Sequence, residues 1–346
     1  KAVCEGIGGP KMIAEGFHSH VAMERLSVMG LVEVLGRLFE LLRIRRRLRK
    51  YFIKNPPDVF VGIDAPDFTL SLERHLRKAG IKTAHYVSPQ IWAWRQGRVK
   101  QITQCADLML TLFPFEKEFY REHGMPVRFV GHPLADQIPF ESDKQAARTA
   151  MGIEAQNCVL ALLPGSRMGE VGRLTATFLS TALWCQRQRP ECKILVAAAN
   201  DRVAEHIRCE LKQFPQLKNV QLVTAQAREA MAAADALLVA SGTVTLEAAL
   251  IKRPMVVAYK VAPLTFQIAS RLVKTDSIAL PNLLAGSVLV PEFIQDRARP
   301  ELIGPVLLEY LSGDAAAEAQ VGAFITIHRQ LAQGASDCAA QAIIDL

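Results

Sequence analysis

The sequence predicts an α/β protein with two parallel-sheet domains and a cleft between them. Three observations carry this. At 346 residues the chain is long enough for two cores of ordinary domain size. The segment 234–259 reads as strand, glycine turn, helix and strand, a βαβ unit whose two strands run parallel. The same alternation of short apolar runs and helical stretches recurs on both sides of position 140.

The βαβ segment shows its logic residue by residue. Ala236–Ala240 is an apolar run long enough for a buried strand and too short for a helix. Ser241-Gly242-Thr243 breaks it, and 245–251 is rich in helix formers. Lys252-Arg253-Pro254 then ends the helix before a second apolar run, Met255–Tyr259. Small residues at the turn leave the first backbone N–H groups of the helix open, a seat suited to phosphate. Glu247, one turn further in, is placed to accept hydrogen bonds from vicinal sugar hydroxyls. The plainer reading is that Ser241 or Thr243 caps the helix and Glu247 complements its dipole. On this segment alone the two readings stand level.

In chain order, the first domain opens with a strand at 2–7, a Gly8-Gly9-Pro10 turn and a helix over 11–15. Residues 28–50 read as a long helix or a helical pair. Val28, Leu31, Val32, Leu35, Leu38, Phe39 and Leu42 follow the i, i+3, i+4, i+7 pattern, with Glu33, Arg37 and Glu40 opposite. This stripe runs straight into Arg43, Arg45, Arg46 and Arg47. The region 37–54 accounts for the whole net charge of +7, and the remainder is balanced. An apolar stripe ending in arginines suits an anionic membrane surface. The competing reading is a core helix with a solvated basic end. The arginines lack interleaved aromatics, so nucleic acid is not expected.

A strand at 58–63 delivers Asp64 to its carboxyl end, where ligands sit in open parallel sheets. Asp67 is the better placed of the two aspartates to cap the next helix, 68–79. The strand at 82–87 exits through Ser88-Pro89-Gln90-Ile91-Trp92-Ala93-Trp94-Arg95. There Trp92, Trp94 and Arg95 offer an aromatic wall for an apolar or sugar ligand, or simply pack. Strands at 107–112 and 127–130 follow. The first domain is set at 1–140, with PFESDK (139–144) as linker. The second is set at 141–346, its last helices free to return to the first.

The second domain repeats the grammar. A strand at 158–163 leads into Pro164-Gly165-Ser166-Arg167, a glycine turn that opens a helix near Glu170 and carries a cation. Strands at 193–197 and 220–223 precede the βαβ unit. The stretch 277–291 follows as an apolar loop with Asn282 after Pro281.

Composition narrows the class. Half the residues are hydrophobic and 22% charged, as in ordinary soluble proteins. The longest uncharged stretch, 277–291, is too short to span a bilayer. Seven scattered cysteines without paired spacing read as reduced structural thiols of a cytosolic protein. The eight histidines show no ligand spacing, so no structural metal is expected.

GIDAPDF (62–68), HYVSPQIWAWRQGR (85–98), FPFEKEFY (113–120), LLPGSR (162–167), ASGTVTLE (240–247) and LPNLLAG (280–286) together closely resemble the lipid-A-disaccharide synthase family. The resemblance runs in order from Gly6 to at least Val290. It implies a GT-B architecture, two Rossmann-like parallel-sheet domains facing across a cleft. It implies an inverting glycosyltransferase of bacterial lipid A synthesis. The donor would be UDP-2,3-diacylglucosamine and the acceptor 2,3-diacylglucosamine 1-phosphate. The products would be the β-1′,6-linked disaccharide 1-phosphate and UDP, formed without metal or cofactor.

By the same resemblance Asp64 matches the general base. Arg167 and Asn282 match residues important for activity at the UDP-sugar site, with Gly165, Ser166, Ser241, Gly242 and Thr243 beside them. Glu247 would hold the ribose. The enzyme would be peripheral on the cytoplasmic face of the inner membrane, with a homo-oligomer open. The family pattern opens with a strand and a G-E-x-S-G-D turn, so a unit of roughly thirty residues is expected ahead of Lys1. Three other readings share the architecture or its ligand: a UDP-N-acetylglucosamine 2-epimerase, another inverting transferase such as the one making lipid II, and a non-catalytic membrane-bound nucleotide-sugar binder.

Overall fold

The computed structural model describes residues 2–26, 31–94, 96–262, 266–267 and 277–346, with the backbone alone for 31–35 and 93–94. Val28 and Arg95 therefore lie outside the described residues, as do the side chains of Leu31, Val32, Leu35 and Trp94.

Among the described residues every strand pairing is parallel. A six-stranded sheet has the order β12-β11-β10-β7-β8-β9. Its members are β7 (Val159–Leu163), β8 (Lys193–Ala198), β9 (Val220–Thr224), β10 (Ala236–Ala240), β11 (Met255–Tyr259) and β12 (Glu292–Ile294). A four-stranded sheet runs β3 (Val59–Ile63), β4 (Lys82–Tyr86), β5 (Leu108–Thr111) and β6 (Val127–Phe129). β1 (Glu5–Gly6) and β2 (His18–Ser19) form a separate parallel pair. The strand read over 2–7 is thus cut to two residues.

The six-stranded sheet is covered on both faces, which is why its central strands are apolar throughout. The period-two alternation sorts each strand between two cores. Leu160, Leu162 and Leu238 pack with Phe178 of the helix Met168–Gln188 and Leu307 of the helix Pro300–Leu311. Val159, Ala161, Leu163 and Val239 pack with Leu246 of the helix Thr243–Ile251 and Phe324 of the helix Ala315–Leu331.

Cross-packing ties the two sheets. The short helix Pro133–Gln137 follows β6, yet Ala135 and Ile138 sit in the core of the six-stranded sheet with Phe324 and Leu331. In return the last helix, Ala335–Ile344, places Ala339 and Ala342 against Leu110 and Val130 beside the four-stranded sheet. Arg128 and Asp345 close that contact at 3.2 Å.

The helix Leu31–Lys54 has two unlike halves. Ile44, Leu48 and Phe52, four residues apart, are buried with Leu72 and Leu76 of the helix Pro66–Lys78. Leu38, Phe39 and Leu42 are instead 38%, 83% and 41% exposed, so the core-helix reading fails at these three positions. Among the described residues no helix is long and apolar enough to cross a membrane.

Two further expectations are corrected. Asp67 does not cap a helix: the helix starts at Pro66, whose fixed φ suits the first position, and the N-cap is Ala65. The stretch 277–291 is not loop throughout, because Leu280–Ala285 is a short helix with Pro281 in its first turn.

Candidate active site

Asp64 follows the last residue of β3, and both it and Ala65 take left-handed backbone angles, φ 50° and 45°. Two adjacent residues of this kind are a costly conformation, held here by specific bonds. The Asp64 N–H donates to the Tyr86 carbonyl at 2.9 Å, and Thr69 Oγ1 donates to the Asp64 carbonyl at 2.8 Å. The side chain is exposed and makes no hydrogen bond or ion pair among the described residues. Its neighbour Asp67 is engaged by Arg98 at 3.1 Å. Of the two carboxylates, Asp64 is the one without a side-chain partner among the described residues.

On the larger sheet the two glycine turns are neighbours, because β7 and β10 are paired. A Cβ placed on Gly165 would lie 3.8 Å from Ala240 Cβ and 3.0 Å from Glu170 Oε2. Arg167 occupies the N-cap position of the helix Met168–Gln188 without capping it through its side chain. Its side chain is 70% exposed and, among the described residues, its guanidinium pairs only with Glu170, at 3.6 Å, a loose surface pair that an anionic ligand readily outcompetes.

At the second turn Gly242 has φ 144°, a backbone region that side chains rarely allow, and a Cβ there would meet nothing within 4 Å. The helix Thr243–Ile251 has no side-chain cap, and of its first N–H groups that of Thr245 bonds back to the Gly242 carbonyl at 3.0 Å. Thr243 is exposed. These are the conditions under which a helix start receives an anion. Glu247, one turn in, is paired through Oε1 with Arg228 Nε at 3.0 Å. Arg228 lies 19 residues earlier and gave no sequence signal.

Asn282 is corrected as a direct ligand. It is 2% exposed. Its Nδ2 donates to the Val290 carbonyl and to Glu292 Oε1, both at 2.8 Å. Its Oδ1 accepts from the N–H groups of Leu289 and Val290 at 2.8 and 2.6 Å. Four contacts exhaust the amide's capacity, so Asn282 shapes the 278–292 segment from within. Ser241 is also engaged, its Oγ donating to the Ile278 carbonyl at 3.2 Å.

Trp92 packs edge-on against Phe115 at 4.8 Å, and Phe115 stacks on Phe113 at 5.5 Å. For Trp92 the packing reading prevails over a free ligand wall. Behind it lies Glu116, 3% exposed, which accepts from the Phe113 N–H at 3.1 Å. Burial pushes its carboxyl up to about 7, with the Phe113 N–H pulling the other way. The Trp92 indole N–H is near enough to favour the carboxylate without meeting it in a hydrogen bond of normal geometry.

Comparison with known proteins bears on the family and the fold. Residues 1–343 match the family model described as Lipid-A-disaccharide synthetase. A lipid-A-disaccharide synthase from Hahella chejuensis (strain KCTC 2396) is 53% identical over 346 residues, covering 100% of this chain and 87% of that protein. One from Pseudomonas aeruginosa (strain LESB58) is 55% identical over 341 residues, covering 99% and 89%. Among solved structures, a UDP-GlcNAc 2-epimerase from Neisseria meningitidis superposes with TM-score 0.64 at 12% identity, covering 99% of this chain and 100% of that one. A glycosyltransferase involved in lipopolysaccharide biosynthesis superposes with TM-score 0.53 at 15% identity, covering 95% and 87%. At such identities these two likenesses concern the fold alone, which is the GT-B arrangement expected. With both sequence comparisons running nearly end to end, the chain belongs to the lipid-A-disaccharide synthetase family.

Proposed function

We propose that this chain moves 2,3-diacylglucosamine from UDP-2,3-diacylglucosamine to the 6-hydroxyl of 2,3-diacylglucosamine 1-phosphate, releasing UDP. Glycosyl transfer in lipid A synthesis follows from the family; the donor, the acceptor and the residue roles are our reading. The observations that carry those roles are one open carboxylate, Asp64, at the carboxyl end of β3, and two adjoining helix starts on the other sheet, at Arg167 and Gly242.

The chemistry asks for both. An α-linked UDP-sugar giving a β product is inverted in one displacement. The acceptor hydroxyl is a weak nucleophile, and Asp64 takes its proton as the new bond forms, help worth about 10²–10⁴ in rate. Negative charge gathers on the departing UDP, where the Arg167 guanidinium and the N–H groups following Gly242 lower its energy. Glu247, steadied by Arg228, keeps its second carboxylate oxygen for the ribose hydroxyls. Asn282 and Ser241 hold the adjoining segment in place.

Both substrates carry acyl chains, so the enzyme has to work at a lipid surface. Exposed Leu38, Phe39 and Leu42 beside exposed Arg43, Arg46 and Arg47 support docking on an anionic membrane, and with it a peripheral place on the inner face of the inner membrane. The domain division at 140/141 belongs to the same proposal, with the last helix of the second part seated on the first.

The test is an assay with both acylated substrates. The proposal expects UDP and disaccharide in equal amounts, and no sustained UDP release without acceptor. Isomerisation of UDP-N-acetylglucosamine with no acceptor present would support the epimerase reading instead.

A further inference from the structure

We infer that Glu292 is a positioning residue for the donor turn; this rests on the transferase reading above and adds a residue that none of the resembling motifs contains. Glu292 stands opposite Val257 on the edge strand β12, well away in sequence from Ser241 and Gly242. Its carboxylate gathers three donors. Oε1 accepts from Asn282 Nδ2 at 2.8 Å, from the Ala279 N–H at 3.0 Å and from the Ile278 N–H at 3.2 Å. Oε2 accepts from the same Ile278 N–H at 3.0 Å.

The bonds form a relay from the sheet edge to the turn. Glu292 fixes the Ile278 N–H, and the carbonyl of the same residue accepts from Ser241 Oγ at 3.2 Å. Ser241 adjoins Gly242, whose backbone opens the uncapped helix start. Asn282, filled by Leu289 and Val290 on its other side, locks the far end of the segment. A carboxylate suits this place because three converging donors need an acceptor with no hydrogen of its own. Without it, two backbone N–H groups and one amide lose their partner, and the Ser241 acceptor is no longer held. Glu292 touches no reacting atom; it acts through Ile278 and Ser241.

The experiment measures UDP affinity by calorimetry, steady-state kinetics against the UDP-sugar, and thermal melting, in the parent chain and in Glu292→Leu and Glu292→Gln. A folded Glu292→Leu should bind UDP about tenfold more weakly, with kcat at saturating donor within about twofold of the parent. Glu292→Gln should lose about threefold, because its Oε1 still accepts from Ala279 and Asn282. A merely structural role would lower the melting temperature and leave UDP affinity of the folded protein unchanged, and that result overturns the inference. Should Glu292→Leu fail to fold, Ser241→Ala alone and combined with Glu292→Gln decides. A shared relay predicts that the double variant binds UDP no worse than Ser241→Ala, whereas additive losses overturn it. A parent chain that does not bind UDP at all removes the donor-site reading itself, and with it any role for Glu292 there.

Discussion

The Glu73 carboxylate lies directly on the backbone of Gly62: a Cβ at Gly62 would stand 1.7 Å from Glu73 Oε1. Gly62 pairs in register with His85 on β4, and His85 Nδ1 meets the same Oε1 at 2.8 Å. Both side chains are fully buried. The glycine of GIDAPDF is thus explained by a buried acid–histidine pair beneath the strand that presents Asp64. Gly62→Ala should destabilise the fold by about 1–3 kcal/mol or more through overpacking, read as a lowered denaturant midpoint. A parental midpoint would show that Glu73 has room to withdraw.

Glu116 makes stability depend on pH. Its folded-state carboxyl is raised from 4.5 to about 7 by burial, with the Phe113 N–H opposing. The folded state therefore holds this proton more tightly than the unfolded chain does. The resulting stability is fully present below pH 4.5 and is lost as pH rises through about 7. Glu116→Gln, which keeps an acceptor for the Phe113 N–H, should gain on the parent across that window, by at most about 3 kcal/mol. Parallel melting curves of the two proteins from pH 4.5 to 7.5 would contradict this.

Arg167→Ala should raise KM for the UDP-sugar by about tenfold or more, because a charge-assisted contact to the diphosphate is lost. Its folded stability should be unchanged within about 0.5 kcal/mol, since the side chain is exposed and among the described residues pairs only with Glu170. Unaltered donor kinetics would remove Arg167 from the site.

Replacing Arg43, Arg45, Arg46 and Arg47 with Ser should sharply reduce sedimentation with anionic vesicles, since each basic residue near such a surface is worth about 1 kcal/mol. Raising salt should release the parent in the same way. Activity on detergent-dispersed substrate should survive. Vesicle binding that persists in the quadruple variant at every salt concentration would leave the arginines as a solvated helix face.

Much of the framework was legible because it is local. Apolar runs of five residues, each followed by a glycine turn and a helical stretch, mark β7 and β10 as buried parallel strands. The placement of Asp64, Arg167 and Gly242 at strand ends was readable because each immediately follows such a run or lies in its turn. What stayed hidden is non-local. Glu73 sits in a sequence, LERHLRK, that looks like a solvated helix face, and only folding brings His85 onto it. Asn282 and Glu292 are ten residues apart with no periodicity between them, so a hydrogen-bonding scaffold was read as a ligand contact. Leu38, Phe39 and Leu42 follow a helical period that is the same whether protein or lipid covers it; their exposure settles only that the described chain does not.

The central claim, that Asp64 serves as the base in a transfer between two acylated glucosamines, is tested most directly by turnover and UDP binding in Asp64→Asn and Asp67→Asn. The nearly isosteric Asp64→Asn should lower kcat by about 10² or more and keep UDP affinity within a few-fold. Asp67→Asn, which gives up only an exposed pair with Arg98, should turn over at close to the parental rate. Parental kcat in Asp64→Asn would contradict the account, and its combination with a dead Asp67→Asn would move the base to the other carboxylate.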